Sequence, residues 1–257
     1  FRTMDVVGLD TAVNVAKNLQ KDLKEDESIF DLIELDTDSK SLALMFTSSL
    51  IPPAGNFGLP VIDSMKNNLI SGVDGNKFFY LSLYPQPSDP LWRPDAEKFK
   101  FKYDQNGNNS FADFPGFVAN TTNYNYDLAT FKSNLKTHAG ISPAVSVGSA
   151  IKLVNNILEI YVKVKYNIDY TKRHSVAVYV YEKTKIASQE TITGTKTNFV
   201  HKNVLLANVI PTNGTVNGTV NGTVNGTVLL GVQAKGFFKE FQYKYSMPSS
   251  VSISDLG

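Results

Sequence analysis

The sequence contains no cysteine among its 257 residues. A chain without cysteine cannot form disulfides, thiolate metal sites, iron–sulfur clusters or a thiol-based active site. Histidine and arginine are scarce as well, with three residues of each type. Because metal, phosphate and acid–base sites often draw on these residue types, the composition leaves few candidates for a catalytic centre. We expect no cofactor.

An excess of one charge is also missing. The 25 Lys and Arg residues balance 24 Asp and Glu residues, and the formal net charge is +1. Nucleic-acid binding requires a clustered basic excess, so we expect no nucleic-acid partner. No run of 18 apolar residues occurs, so we expect no transmembrane helix. Because the chain begins with Phe1 and shows no signal peptide, we expect a processed product whose targeting segment is absent.

The first half of the chain shows the alternation of elements that is typical of an α/β domain. Apolar residues spaced by three or four predict a helix over 9–24, and apolar runs predict strands over 41–48 and 77–84. Between these strands Pro60 is suited to the first turn of a helix. Strand, helix and strand in this order predict a parallel pair. Further elements are predicted as a helix at 94–102, a strand at 114–120 and a helix at 126–138.

The second half changes to a period of two, which indicates strands without intervening helices. Apolar residues alternate over 158–166, 176–180 and 241–245. Antiparallel sheets typically show this alternation. The predicted fold class is therefore a two-domain α+β protein. Its parts are a helical N-terminal extension (1–40), a thioredoxin-like α/β domain (41–140) and an antiparallel, all-β sandwich-like domain (141–257).

Residues 213–228 are four copies of Asn-Gly-Thr-Val. Asn-Gly favours tight turns and Thr-Val favours strands, so an elongated hairpin tip is one interpretation. The other is a tandem expansion in a surface loop, which costs little entropy. Each copy is also an Asn-x-Thr acceptor sequence, which matters only in a host that glycosylates asparagine.

The order of elements in the first half resembles the thioredoxin fold. In thioredoxin-like proteins C-x-x-C-P begins the first helix, where the helix N-terminus lowers the thiol pKa. The matching segment here runs from Asn56 to Pro60; it keeps the proline but has Asn56 and Leu59 at the cysteine positions. The resemblance also implies that Pro115 is the cis-proline facing this motif. Redox activity is excluded because neither replacement can form a thiolate.

The chain as a whole resembles the Bacteroidetes outer-membrane protein family Omp-twenty-eight. The resemblance rests on residues 45–60, on 78–84 before Asp89-Pro90, on 114–120, on 199–206 and on the ending 241–257. Leu206 stands where the family has arginine, and the family's last strand would be missing. The resemblance implies an exported protein, outer-membrane-associated or at the cell surface, with a possible lipid anchor outside this chain. The family's biochemical role is poorly defined.

Two further places are candidate sites. Tyr84 and Trp92 flank a proline-rich loop that could form an exposed partner-binding surface, although Trp92 could simply pack the loop onto the core. A weak calcium candidate consists of Asp104, Asn106, Asn108 and Asp113, but the loop lacks the Gly and Glu of an EF-hand, and the composition favours a solvated turn instead. No G-x-S-x-G elbow or phosphate-binding loop occurs.

The sequence therefore favours a non-catalytic, exported envelope or surface protein that acts by binding. Its expected partner is an outer-membrane or cell-surface protein complex. A glycan-active or hydrolytic enzyme using carboxylates of loops 85–113 remains an alternative. An adhesin or filament subunit that receives a strand from a neighbour is another.

Overall fold

The computed structural model describes residues 17–18, 28–35, 41–67, 75, 78–104, 114–119, 122–125, 128–138, 142–171, 174–209, 227–229, 232–251 and 256. The chain divides into two compact units. The β unit comprises Phe1–Ser39, Gly140–Val178 and Asn208–Ser254, and the α/β unit comprises Lys40–Ala139, Tyr179–Ala207 and Asp255–Gly257. The chain thus passes repeatedly between the units, which differs from the linear division at residue 140 that the change of period predicts.

Strands and three α-helices make up most of the described structure. The helices are α1 (Leu59–Lys66), α2 (Pro94–Asp104) and α3 (Leu128–His138). The strands are β1 (Lys17–Asn18), β2 (Ser41–Phe46), β3 (Phe78–Leu83), β4 (Gly116–Ala119), β5 (Thr122–Asn125), β6 (Val145–Val154), β7 (Ile157–Tyr166), β8 (His174–Val176), β9 (Val178–Thr191), β10 (Gly194–Val209), β11 (Thr227–Leu229) and β12 (Phe238–Ser246).

The centre of the α/β unit is a mixed sheet. Strands β2 and β3 pair in parallel, from Ser41 opposite Phe78 to Phe46 opposite Leu83, which confirms the predicted strand–helix–strand unit. Every residue of both strands is buried, as expected for strands covered on two faces. Strand β4 is antiparallel to β2. Among the described residues the sheet order is β5-β4-β2-β3-β10-β9.

The apolar side chains of α1 and α3 form the core of this unit with the sheet. Leu59, Ile62 and Met65 of α1 recur at three-residue spacing and are buried. Phe131 and Leu135 of α3 belong to the same cluster. This spacing places the apolar residues of each helix on one face, where burial against the sheet stabilises the helix.

The hairpin β9–β10 extends the mixed sheet. Strand β10 pairs in parallel with β3 where Val204 lies opposite Ser82. The period-two pattern predicts this hairpin as part of a separate C-terminal domain. An alternating pattern does not specify which sheet a strand joins. Val204 and Leu205 of β10 are buried, and Val204 packs in a cluster with Tyr84 and Leu91.

The β unit contains a sheet in the order β1-β6-β7-β12. Strands β6, β7 and β12 are antiparallel. Asn155 and Asn156 join β6 to β7 with positive φ angles of 47° and 64°, the conformation of a tight hairpin turn. A two-stranded ladder of β8 and β11 contains Thr227 and Val228 of the last Asn-Gly-Thr-Val copy; the other copies lie outside the described residues. The sandwich arrangement itself stays a prediction.

The predicted N-terminal helix is wrong at the residues that can be compared. Lys17 and Asn18 form a strand paired in parallel with Ala150 and Ile151. Their backbone groups therefore bond to β6, and tertiary pairing overrides a helical pattern. The rest of 9–24 lies outside the described residues.

Candidate functional site

The segment that matches the thioredoxin motif lies where β2 leads into α1. Residues Ala54–Gly58 form a π-helical turn that continues directly into the helix. Leu59, at the second cysteine position, is only 3% exposed and belongs to the core. Asn56, at the first position, is half-buried, and Pro60 is exposed. The two positions thus place an apolar side chain inward and an amide near the surface.

Pro115 packs against the start of this helix. The Phe114–Pro115 peptide bond is cis, the isomer that the thioredoxin resemblance implies. A Cβ atom added to Gly58 would lie 3.1 Å from the Cβ of Pro115, so the two residues are in close contact. The structure therefore brings together the degenerate motif and the proline expected to face it.

The tip of the β9–β10 hairpin covers the other side of the motif. The backbone N–H of Ile192 donates to Oδ1 of Asn56 at 3.1 Å, and the N–H of Glu190 donates to the carbonyl of Ser49 at 2.8 Å. A Cβ atom on Gly55 would lie 2.7 Å from Cγ of Gln189. Glycine is needed there because the hairpin approaches so closely.

The side chain of Gln189 bonds the hairpin tip to the loop between β2 and α1. Its side chain is buried, and Nε2 donates to the carbonyl oxygens of Ser48 at 3.2 Å and Glu190 at 2.9 Å. Together with the Asn56 and Glu190 bonds, these contacts attach the hairpin tip to residues 48–56, beside the first position of the motif. The bond to Asn56 is itself exposed to solvent.

Three large apolar side chains are exposed on residues that make or adjoin these hydrogen bonds. Phe57 is 58% exposed, Ile192 is 68% exposed and Leu50 is 44% exposed. Each adjoins or takes part in the hydrogen bonds just described: Phe57 follows Asn56, Leu50 follows Ser49, and Ile192 itself donates to Asn56. We call Leu50, Phe57 and Ile192 the apolar rim. Neighbouring exposed side chains of this size are typical of an interaction surface.

A buried carboxylate holds the loops behind the motif together. Asp89 is 4% exposed. Its Oδ2 accepts from Ser48 Oγ at 2.9 Å and from the backbone N–H of Ser49 at 2.6 Å. Its Oδ1 accepts from Ser49 Oγ and from the N–H of Leu91, both at 2.9 Å. A buried charge is stable only when paired or fully hydrogen-bonded, and Asp89 meets that condition with four donors.

Tyr84 is part of this interior rather than of an exposed surface. It is 1% exposed, and its hydroxyl lies 2.7 Å from Nδ1 of His201. Burial, and secondly the charge of Asp89, raises the pKa of Tyr84 well above its usual value. Burial lowers the pKa of His201. The prediction that Tyr84 binds a partner directly is therefore wrong, because strand β10 covers the residues that follow β3.

Trp92 is half-buried at the end of the same loop. Its backbone N–H donates to the carbonyl of Asp89 at 2.9 Å. Its indole Nε1 is buried and has no hydrogen-bond partner among the described residues. The indole therefore packs against the protein on at least one side, and a direct role for Trp92 in partner binding stays a prediction.

The calcium candidate lies almost wholly outside the described residues. Only the backbone of Asp104, at the end of α2, is described, and Asn106, Asn108 and Asp113 are not. Within the described ranges, no group of three or more His, Asp or Glu side chains is placed to hold a metal ion. In the same ranges, no helix is long and apolar enough to cross a membrane.

Two sets of contacts that build the site were not predicted from the sequence. Asp63 of α1 accepts from the hydroxyl of Tyr80 at 2.8 Å and pairs with Lys202 of β10 at 2.6 Å. Burial, followed by the charge of Asp63, raises the pKa of Tyr80. The second set is the hairpin tip. One signal was available there: Ile192 stands in a tight turn, a position that normally favours Gly, Asn or Asp.

Comparison with known proteins identifies a similar fold but no family. A solved structure similar to this chain is HBP35 of Porphyromonas gingivalis, with a TM-score of 0.57, 12% sequence identity, and coverage of 87% of this chain and 68% of that one. No protein-family model matches the sequence, and no curated protein matches it. The chain therefore has an HBP35-like α+β fold, with a mixed sheet flanked by helices and a separate antiparallel sheet.

Proposed function

We propose that this protein is a non-catalytic, exported envelope or surface protein that acts by binding another protein, through the apolar rim of its α/β unit. The observation that supports this most directly is the bond from the Ile192 N–H to Asn56 Oδ1 at 3.1 Å. It attaches the hairpin tip to the first position of the redox motif, and Phe57 and Ile192 remain exposed beside it.

The chemistry of the rim fits a protein partner. Aromatic side chains, phenylalanine included, are enriched in the cores of protein–protein interfaces, where a few buried anchors supply most of the binding energy. Here the backbone under Phe57 is part of a continuous helix start, and that under Ile192 is a hairpin turn tied to it. A preorganised surface of this kind loses little conformational entropy on binding.

An envelope location is part of the proposal. It rests on the resemblance of residues 45–60, 78–84 and 114–120 to the Omp-twenty-eight family. The similarity to HBP35 is a similarity of fold, which is consistent with an envelope location but does not by itself indicate one. The expected partner is an outer-membrane or cell-surface complex.

An enzyme using loop carboxylates is less well supported. Asp89 is saturated by four hydrogen bonds within the protein, and Asp95 pairs with Lys98 at 2.7 Å. Neither carboxylate resembles a free acid or base next to a substrate. The filament alternative would require an added strand at a sheet edge, and no described contact favours it over the apolar rim.

The test is a capture experiment from gently solubilised cell envelopes. The wild-type protein, a Phe57→Ala/Ile192→Ser variant and an Ile186→Ser control are compared. Ile186 is 66% exposed on the same hairpin but lies about 20 Å from Ile192 along an extended strand. We expect a stoichiometric partner with the wild type and the control and its loss with the rim variant. Equal recovery with all three proteins, or no partner with the wild type, would refute the role of the rim.

A further inference from the structure

A second surface with a different composition lies at one end of the β unit. Here the loop after β7 and the loop before β12 are hydrogen-bonded to each other. The N–H of Gly236 donates to the carbonyl of Tyr166 at 2.7 Å, and the N–H of Tyr166 donates to the carbonyl of Phe237 at 3.0 Å. The N–H of Lys235 donates to Oδ1 of Asp169 at 2.8 Å. The two loops therefore form one fixed end of the sheet.

Large apolar side chains are exposed at this end. Val232 is 70% exposed, Ile168 is 50% exposed, Phe237 is 47% exposed and Phe238 is 42% exposed. Scattered exposed apolar residues are normal, but a group on two bonded loops is typical of an interaction surface.

Lysines surround the two phenylalanines. The Nζ atoms of Lys163 and Lys165 lie 4.9 Å and 5.6 Å from the centre of the Phe238 ring. The Nζ of Lys239 lies 5.6 Å from the centre of the Phe237 ring. Lys163 also donates to a backbone carbonyl at 3.1 Å, so its ammonium group is held beside the ring.

The charge of this end of the sheet is positive, although the whole chain is nearly neutral. Lys235, between the two loops, is exposed and adds a fourth ammonium group to the three beside the rings. Within residues 163–169 and 232–240, the four lysines exceed the two carboxylates, Asp169 and Glu240, by two. The exposed Asp31 lies next to Phe30, whose carbonyl accepts from Lys163, at the edge of this surface.

We propose that this end of the β unit, the aromatic–lysine patch (Lys163, Lys165, Ile168, Val232, Lys235 and Phe237–Lys239), docks onto the surface of an anionic lipid bilayer. Phenylalanine and aliphatic side chains enter the boundary between headgroups and acyl chains, and lysines remain at the headgroups with their charged ends. The positive charge of the patch complements the negative surface of such a bilayer.

The composition favours a membrane over a protein as the partner. Lysine is depleted in protein–protein interfaces because its flexible, strongly hydrated side chain is costly to immobilise. A bilayer surface imposes no such cost, since the ammonium groups stay hydrated among mobile headgroups. Apolar loop tips interleaved with lysines fit that environment, whereas the apolar rim of the other unit contains no lysine.

The test measures co-sedimentation of the purified chain with vesicles. One set contains phosphatidylglycerol and phosphatidylcholine, and the other contains phosphatidylcholine alone. We expect binding to the anionic vesicles that weakens as salt is added. Replacing Lys235 and Lys239 by Gln should lower the partition coefficient about 25-fold, since each lysine near such a surface contributes about fivefold. Replacing Phe237 and Phe238 by Ala should lower it about tenfold or more.

Matched controls separate the patch from general effects. Lys196→Gln removes an exposed lysine, and Ile186→Ser removes an exposed apolar side chain, both in the α/β unit and outside the apolar rim. Both should bind vesicles as the wild type does, and circular dichroism and thermal unfolding verify that every variant is folded. Absence of binding to anionic vesicles, or binding unchanged by the patch variants, overturns the proposal. So does lysine-dependent binding to soluble polyglutamate without binding to vesicles, which would indicate an acidic protein as the partner.

Discussion

The surroundings of Asp89 in the α/β unit and the aromatic–lysine patch in the β unit both combine aromatic and charged side chains, but with opposite exposure. Asp89, Tyr84 and His201 are almost completely buried. The two phenylalanines of the patch are exposed, with lysines over their rings. Asp89 accepts four hydrogen bonds within the protein and Tyr84 bonds to His201, whereas Lys235 of the patch is exposed to solvent. The difference separates a structural network from a surface that can bind.

The buried network also explains how the position of the redox motif can serve as a binding surface. Asp89 fixes Ser48 and Ser49, the carbonyl oxygens of these serines accept from the hairpin tip, and the tip bonds to Asn56. The motif is thus bonded to the hairpin tip at Asn56. The side chains of the apolar rim remain accessible to solvent.

Among the variants that test this comparison, Asp89→Ala is expected to have the largest effect on the free energy of unfolding. The substitution leaves buried donors of Ser48, Ser49 and Leu91 without an acceptor, so we expect the free energy of unfolding to fall by about 3 kcal/mol or more. Chemical denaturation measures it. The control Asp95→Ala removes an 18%-exposed partner of the exposed Lys98 and should cost less than about 1 kcal/mol. Equal losses in the two variants would contradict a structural role for Asp89.

A smaller effect is expected from Gly55→Ala. The added methyl group would lie 2.7 Å from Cγ of Gln189 and 2.8 Å from the carbonyl oxygen of Glu190, so the hairpin tip has to move. We expect a loss of about 1–3 kcal/mol, together with faster hydrogen exchange at the Ile192 amide. Ser188→Ala, an exposed change on the same strand, serves as the control. An unchanged exchange rate at Ile192 would mean that the tip does not depend on this contact.

The pH dependence of stability tests the buried histidine. Burial lowers the pKa of His201 below its ordinary value of 6.5, so near that pH the unfolded chain binds a proton that the folded protein does not. The free energy of unfolding should therefore be highest above about pH 6.5 and fall as the pH drops below it. His201→Gln keeps a side chain that can bond to Tyr84 but removes the titration, and should flatten this part of the curve. A wild-type curve that rises on acidification would contradict the account.

The smallest effects on stability are expected at the two surfaces. Phe57→Ala replaces a side chain that is 58% exposed and should change the free energy of unfolding by less than about 0.5 kcal/mol. Phe238 is 42% exposed with two lysines beside its ring, so Phe238→Ala should cost about 1–1.5 kcal/mol. Phe131→Ala in the core should cost about 3–5 kcal/mol. A large loss at Phe57 or Phe238 would show that the residue supports the fold rather than a binding surface.

Local patterns in the sequence predict much of the α/β unit. The parallel pair of strands around Pro60 follows from two apolar runs and a proline at a helix start, and the elements near 94–102 and 126–138 correspond to α2 and α3. These features depend on residues close together in the chain. The pairing of β10 with β3 joins Val204 to Ser82, and nothing in an alternating pattern specifies so distant a partner.

The position of the candidate site along the chain could be predicted from the sequence, but the residues that surround it in the fold could not. The motif alignment expects Pro115 to face residues 56–60, and Pro115 lies in close contact with Gly58 of this segment. The exposure of Tyr84 was not predictable because it depends on β10, and the sequence does not assign β10 to this sheet. The aromatic–lysine patch escapes prediction for a related reason: Lys163 and Lys165 meet Phe238 only through the β7–β12 register.

The most direct test of separate surfaces combines both binding assays on the same two variants. Phe57→Ala/Ile192→Ser and Phe237→Ala/Phe238→Ala are each compared with the wild type in envelope capture and in sedimentation with anionic vesicles. The account predicts that the first variant loses its protein partner and keeps vesicle binding, and that the second does the reverse. Loss of both activities in either folded variant, or of neither in both, would contradict it.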